Sequence, residues 1–224
     1  MRKWNDLFTY SSFYFLKRED FFSSDYQALK ESIILSPEVL SFHPKRIEEF
    51  LLGRMCASMA HSKYFNRPLF ELPYSVDRSP LWPLGVVGSI THNRDYVSAA
   101  VGSSEFLKGV GIDLEILGRT KLELKSHITN SLDLKSHANL ANEELLTLIF
   151  SIKESLYKAL YPQVHQFFGF LDAAVSEIDF LNGTFKIKLL KELNDEYRPG
   201  HLDEFTGQFS IHEGHCLCVI EIKN

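Results

Sequence analysis

Apolar residues recur at three- and four-residue spacing over 44–64, "PKRIEEFLLGRMCASMAHSKY", and a proline opens the run. That pattern predicts a helix. The same period returns over 142–161, where Leu145, Leu148, Ile149, Ile152, Leu156, Ala159 and Leu160 form one stripe for burial. Residues 121–138 carry a weaker helical pattern. Elsewhere the runs are short, β-branched or aromatic, and bounded by turn formers, which predicts strands. These are "SSFYFLKRED", "VVGSITH", "YVSAAVG", "FLKGVGIDLEIL", "AAVSEIDF", "TFKIKLL", "FTGQFSIH" and "HCLCVIEI". Between the first helix and the second strand lies a proline-rich loop, "NRPLFELPYSVDRSPLWPLG". Helix followed by strands occurs once in each half, so the expectation is an α+β fold of two similar-sized lobes meeting near residue 105.

One predicted strand breaks its own pattern. In "GVGIDLEIL", residues 109–117, Val110, Ile112, Leu114 and Ile116 point to one face, while Gly111, Asp113 and Glu115 point to the other. Two carboxylates that close repel unless a cation lies between them. A solvated strand face is the simpler reading, and a cation site the sharper one; the glycine would leave open space beside the acids.

The second helix supplies a partner for that strand. In "EELLTLIFSIKESLYKALYP", Glu154 and Lys158 lie four apart and roughly opposite the apolar stripe. Alone they read as a surface ion pair, worth a few tenths of a kcal/mol. Set beside the strand, Asp113, Glu115 and Glu154 offer an oxygen-ligand set suited to Mg²⁺. Lys158 could then touch phosphates held by the same ion, an arrangement for phosphoryl transfer.

Composition narrows the partners. The chain has 224 residues and a net charge of −5, which argues against a nucleic-acid or anionic-membrane partner but not against a local anion site. Three cysteines, Cys56, Cys216 and Cys218, make no disulfide framework, so the expected compartment is the cytoplasm. The start, "MRKWNDLFTYSSFYFL", is too interrupted by polar residues for a secretory signal. Cys216 and Cys218 share a face with Ile220 and Ile222, as core residues do, and "HEGH", residues 212–215, reads as a hairpin turn. The expected species is a monomer.

"GIDLE", followed some thirty-five residues later by "FSIKESLYKA", resembles the signature motifs of the 4′-phosphopantetheinyl transferases. "EEFLLGRMCA", "PLWPLGVVGSITHNRDY" and "KALYPQVHQFFGFLDAAV" resemble the enterobactin synthetase component D subgroup, so the likeness runs in order from about residue 45 to 175. It implies two pseudo-symmetric lobes, each a small, mainly antiparallel sheet with a packed long helix. Residues 1–105 would contact the nucleotide of coenzyme A; residues 106–224 would carry the metal site and face the carrier protein. The implied reaction moves phosphopantetheine from coenzyme A to a carrier-protein serine, releasing adenosine 3′,5′-bisphosphate.

The resemblance implies Asp113, Glu115 and Glu154 as Mg²⁺ ligands and Lys158 as the pyrophosphate lysine. Thr91 and His92 match a phosphate-contacting pair, with a partly protonated imidazole favouring the anion. His92 also reads as an ordinary hydrogen-bonded turn residue. Arg54 and Arg78 match basic positions for the 3′-phosphate, ahead of Lys45 and Arg46. "HITNSLDLKSH" lacks the glutamate that serves many relatives as base, which leaves Asp133, Glu154 or a water on the metal. Siderophore or other nonribosomal peptide synthesis is the implied setting. The competing functions are a Mg²⁺-dependent nucleotide pyrophosphatase and a non-catalytic carrier-binding module.

Overall fold

In a computed structural model, described over residues 3–21, 37–67, 71–76, 78–134 and 140–224, the chain forms two antiparallel sheets. The first has the order β1–β3–β2, built from β1 (Ser11–Lys17), β2 (Val86–His92) and β3 (Tyr96–Ser103). The second has the order β4–β8–β7–β6–β5, from β4 (Leu107–Ile116), β5 (Ala173–Asp179), β6 (Thr184–Leu189), β7 (Glu204–His212) and β8 (His215–Lys223). The sheets are therefore unequal, three strands against five. Each carries one long helix, which makes the fold α+β in the expected two-lobed form.

The helices are α1 (Pro37–Leu40), α2 (Pro44–Phe65), α3 (Lys125–Ile128) and α4 (Asn142–Val164). In α2 the proline stands at the first helical position, and the His43 side chain accepts from the Lys45 N–H. Leu52, Cys56 and Ala57 of α2 pack against Val97 and Ala99 of β3. For α4, the Glu144 carboxylate accepts from the Ala141 N–H and closes the first turn. The whole expected stripe from Leu145 to Leu160 is buried against the five-stranded sheet. The helix runs three residues past the expected end: Pro162 falls in its last turn, and His165 caps it at φ 49°.

The weak helix expected over 121–138 is not formed. A 3-10 turn at Leu122–Leu124 and the single turn α3 precede an extended Thr129; residues 135–139 lie outside the described residues. Thr129 and Asn130 offer side-chain groups that compete with helical bonds, and the Asn130 side chain instead reaches the carbonyls of Leu171 and Ala173. "HEGH" is the β7–β8 hairpin, with Glu213 and Gly214 both at positive φ.

Two edge strands meet where the sheets adjoin. Strand β2 ends the first sheet and β4 begins the second, and no backbone ladder joins them. The Ser89 and Thr91 hydroxyls of β2 accept the Ile112 and Leu114 N–H groups of β4, and Asn93 donates to the Leu114 carbonyl. His215 further ties β8 to Asp95 in the β2–β3 turn, at 3.1 Å.

Candidate active site

Strand β4 lies directly under α4 because its glycines let it. A Cβ on Gly111 would stand 1.8 Å from the Ser155 carbonyl oxygen, and one on Gly109 would stand 2.3 Å from that of Ala159. The space beside the acids is thus filled by helix backbone rather than open. This close approach carries Asp113 and Glu115 to the flank of the helix that bears Glu154 and Lys158.

The surface ion pair that Glu154 and Lys158 would make if read alone is not what forms there. Lys158 Nζ lies 2.6 Å from Asp113 Oδ1, across to the strand, and its side chain is only 25% exposed. Asp113 Oδ1 also accepts from the Thr91 hydroxyl, while Oδ2 is buried without a hydrogen-bond partner. Thr91 is used up by Asp113 and the Leu114 N–H, so it orients the carboxylate and does not line the cleft.

The electrostatics report how crowded the acids are. Burial, then Asp113, raises the Glu115 pKa to about 7. Burial and Asp113 also raise Glu154 against the pull of Lys158. Burial works against the Lys158 charge, but Asp113, Glu154 and Glu115 outweigh it and hold the ammonium protonated. Among the described residues no three His, Cys, Asp or Glu side chains are gathered into a ready metal cage. The chemistry of the set still fits a hard cation: Asp113 repels both Glu115 and Glu154, and its own Oδ2 is an orphaned acceptor.

A carboxyl whose pKa is raised on folding favours the folded state below its ordinary value, and that contribution is lost as pH rises through the folded value. For Glu115 the window runs from 4.5 to about 7. Without metal, the melting temperature should therefore carry a falling component across that window, and Glu115→Gln should remove it. Added Mg²⁺ should raise melting more at pH 8 than at pH 5. An unchanged slope in the variant, measured by thermal denaturation in chelator, would show that Glu115 does not titrate there.

Lys158 also lines a cleft of about 500 Å³ between α2, β2, Tyr74, residues 78–82 and α4. Four further basic groups face it: Arg46, Arg54, Arg78 and His92. Arg54 lies 3.7 Å over the Phe50 ring, and one of its nitrogens, Nη2, is buried with no partner. Burial, reinforced by Arg46, lowers its pKa to about 10, still charged at neutral pH. Arg78 has φ 70°, a strained conformation for arginine, with its guanidinium 5.3 Å from the Phe42 ring centre. Lys45 stays on the exposed first turn of α2, outside the cleft.

His92 differs from its expected state. Burial lowers its pKa, with Arg46, Lys158 and Arg18 adding to the effect and Glu49 opposing it, so the imidazole is neutral when no anion is bound. Asp133 is removed from the candidate bases by geometry. Its buried carboxylate pairs with Lys153 at 2.7 Å and accepts the N–H groups of Asn130 and Val175. Lys153 spends its other donors on the Ile128 and Phe170 carbonyls. The pair pins two loops to α4 and faces no cleft.

Sequence reasoning underweighted Arg46 and passed over the aromatic wall of Tyr74, Trp82, Tyr157 and Tyr161. Tyr157 and Tyr161 lie four apart on one face of α4, and Tyr161 lies three beyond Lys158, which is the signal that could have found them.

A family model for the 4′-phosphopantetheinyl transferase N-terminal domain matches residues 37–102, and one for the 4′-phosphopantetheinyl transferase superfamily matches residues 109–219. The chain is 30% identical over 215 residues to the 4′-phosphopantetheinyl transferase Npt of Nocardia iowensis, covering 82% of this chain and 90% of that one. The chain belongs to the 4′-phosphopantetheinyl transferase superfamily. The transferase is also 30% identical over 182 residues to PptT of Mycobacterium tuberculosis, with 79% of each chain covered. It is 36% identical over 135 residues to enterobactin synthase component D of Escherichia coli K12, covering 57% of this chain and 60% of that one. Among the transferase's described residues no helix is long and apolar enough to cross a membrane.

Proposed function

We propose that the transferase moves 4′-phosphopantetheine from coenzyme A to a serine of an acyl, peptidyl or aryl carrier protein in a Mg²⁺-dependent reaction that releases adenosine 3′,5′-bisphosphate. The observation that carries this reading is a pair of orphaned buried atoms. One is a donor on a cleft arginine, Arg54 Nη2, and the other is an acceptor, Asp113 Oδ2, just behind Lys158. Leaving either unsatisfied costs about 1–3 kcal/mol, more when charged. A ligand anionic at one end and metal-chelated at the other would satisfy both.

In this reading the N-terminal lobe, residues 1–105, grips the nucleotide. Arg54 and Arg78, with Arg46, hold the 3′-phosphate, where the planar guanidinium fork suits bidentate contact. The aromatic wall covers the apolar faces of adenine and the pantetheine arm. The C-terminal lobe, residues 106–224, supplies Lys158 to the pyrophosphate and Asp113, Glu115 and Glu154 as the ligands of the ion. Mg²⁺ bound there would neutralise pyrophosphate charge as the phosphorus–oxygen bond to the nucleotide breaks. Glu154 takes the proton of the attacking serine hydroxyl. Thr91 holds Asp113 in place. The likeness to enterobactin synthase component D supports service to siderophore or other nonribosomal peptide synthesis, in the cytoplasm.

The test measures adenosine 3′,5′-bisphosphate release with and without an apo carrier protein. Release that needs the carrier and Mg²⁺ supports the transferase reading; equal release without carrier would mark a pyrophosphatase. The 3′-phosphate assignment has its own measurement. Dephospho-coenzyme A should be the poorer substrate, and Arg54→Ala should narrow that preference by about ten-fold or more, since a lost charged hydrogen bond costs about 1.5–3 kcal/mol. An unchanged substrate ratio in Arg54→Ala and Arg78→Ala would exclude both arginines from that role.

A further inference from the structure

Glu49 is a carboxylate on the wall of an otherwise basic cleft, with a side chain only 14% exposed. Holding Arg18 does not account for it, because Arg18 has a nearer partner in Glu48 at 2.8 Å and meets Glu49 at 3.4 Å. The other carboxylate oxygen lies 3.5 Å from Arg46 Nη1. Glu49 Oε1 also faces His92 Nδ1 at 3.8 Å, while Arg46 Nη1 stands 3.4 Å from the other ring nitrogen, Nε2.

That arrangement fixes the tautomer. A guanidinium has donors only, so Nε2 must present its lone pair to Arg46. The single proton of the neutral ring is then on Nδ1, directed at Glu49. The charges facing His92 are Glu49 and Arg46 from α2, Arg18 from the turn after β1, and Lys158 from α4. Three of the four oppose an imidazolium, and Glu49 alone favours one.

We propose that Glu49 is a positioning residue that holds His92 with Nδ1–H towards its carboxylate and so lets Nε2 take a proton from solvent when a polyphosphate enters the cleft. The inference rests on the reading that the cleft binds coenzyme A. An incoming phosphate gives Arg46 a stronger acceptor than Nε2. The freed nitrogen, protonated by the solvent buffer, then donates to the phosphate while Nδ1–H faces Glu49. Binding is thereby coupled to proton uptake, with Glu49 supplying the counter-charge.

Calorimetric titration with coenzyme A at pH 7 and saturating Mg²⁺, in buffers of different ionisation heat, counts the protons taken up. Subtracting the count for His92→Gln isolates the imidazole from Glu115 and from the phosphates themselves. The expected difference is on the order of half a proton or more per coenzyme A. Glu49→Gln keeps shape and should reduce that difference at least about two-fold by removing the counter-charge, and Glu49→Asp should restore part of it. A difference that survives Glu49→Gln intact overturns the proposal. Should that variant fail to fold, magnetic-resonance titration of the His92 ring in the unmodified protein decides: its midpoint must rise when coenzyme A binds, and an unmoved midpoint overturns the proposal. Coenzyme A failing to bind at all would overturn the proposed function together with this inference, whereas binding without imidazole protonation overturns the inference alone.

Discussion

Asp113→Asn is expected to lower phosphopantetheine transfer by about 10²–10³-fold, the usual cost of removing one charge-stabilising group from an active site. The melting temperature should stay near that of the parent. Asparagine keeps an oxygen for Lys158 Nζ and the Thr91 hydroxyl, which both lie on Oδ1. The loss of one negative charge relieves Glu115 and Glu154, both of which Asp113 now pushes up. That relief offsets the weaker bond to Lys158. Steady-state transfer across a Mg²⁺ titration is the measurement. Turnover within ten-fold of the parent at limiting Mg²⁺ would remove Asp113 from the ligand set.

Gly111→Ala should damage the fold rather than the chemistry. The added methyl would meet the Ser155 carbonyl oxygen at 1.8 Å and the Ala159 nitrogen at 2.7 Å. Both are backbone atoms of a helix packed on a sheet, so neither can swing aside. Overpacking usually costs about 1–3 kcal/mol, and this position belongs at or beyond the top of that range because no rotamer relieves it. At about 2–4 °C per kcal/mol for a chain of this size, melting should fall by about 6–12 °C or more. Gly169→Ala is the control: its φ is −101°, and the nearest atom to a new Cβ is an Asp172 oxygen at 4.0 Å. That variant should stay within about 0.5 kcal/mol of the parent. Equal melting temperatures for the two variants would mean that β4 can move away from α4 at little cost.

Among the described residues, all eight strands and both long helices were legible because their periods are local properties of the chain. The stripe on α4 and the alternation in β4 each name the buried face without any knowledge of the partner. What could not be read is which polar groups meet across elements. Lys158 is four residues from Glu154, so sequence spacing pairs those two, yet the glycines of β4 bring Asp113 closer. Asp133 looked like a free acid until Lys153, from the apolar side of α4, was seen to neutralise it. His92 was expected to be partly charged, but its burial among Arg46, Lys158 and Arg18 depends on three separate segments. The short α3 shows the reverse case, where a real but weak local pattern ended as the Thr129 hydroxyl took the Lys125 carbonyl and the Asn130 side chain found partners elsewhere.

The hydroxyl seam between β2 and β4 has a consequence for colloidal behaviour. Each strand is the border of its own sheet, and a bare border offers unpaired N–H and C=O groups onto which a strand from another molecule can add. Here Ser89, Thr91 and Asn93 occupy the Ile112 N–H, the Leu114 N–H and the Leu114 carbonyl, so side chains of the first sheet quench the border of β4. The chain thereby shields "GVGIDLEIL" in β4 from self-association without joining the two sheets into one. Thr91, which holds the Asp113 carboxylate in place on one side, thus also helps to keep neighbouring molecules apart on the other.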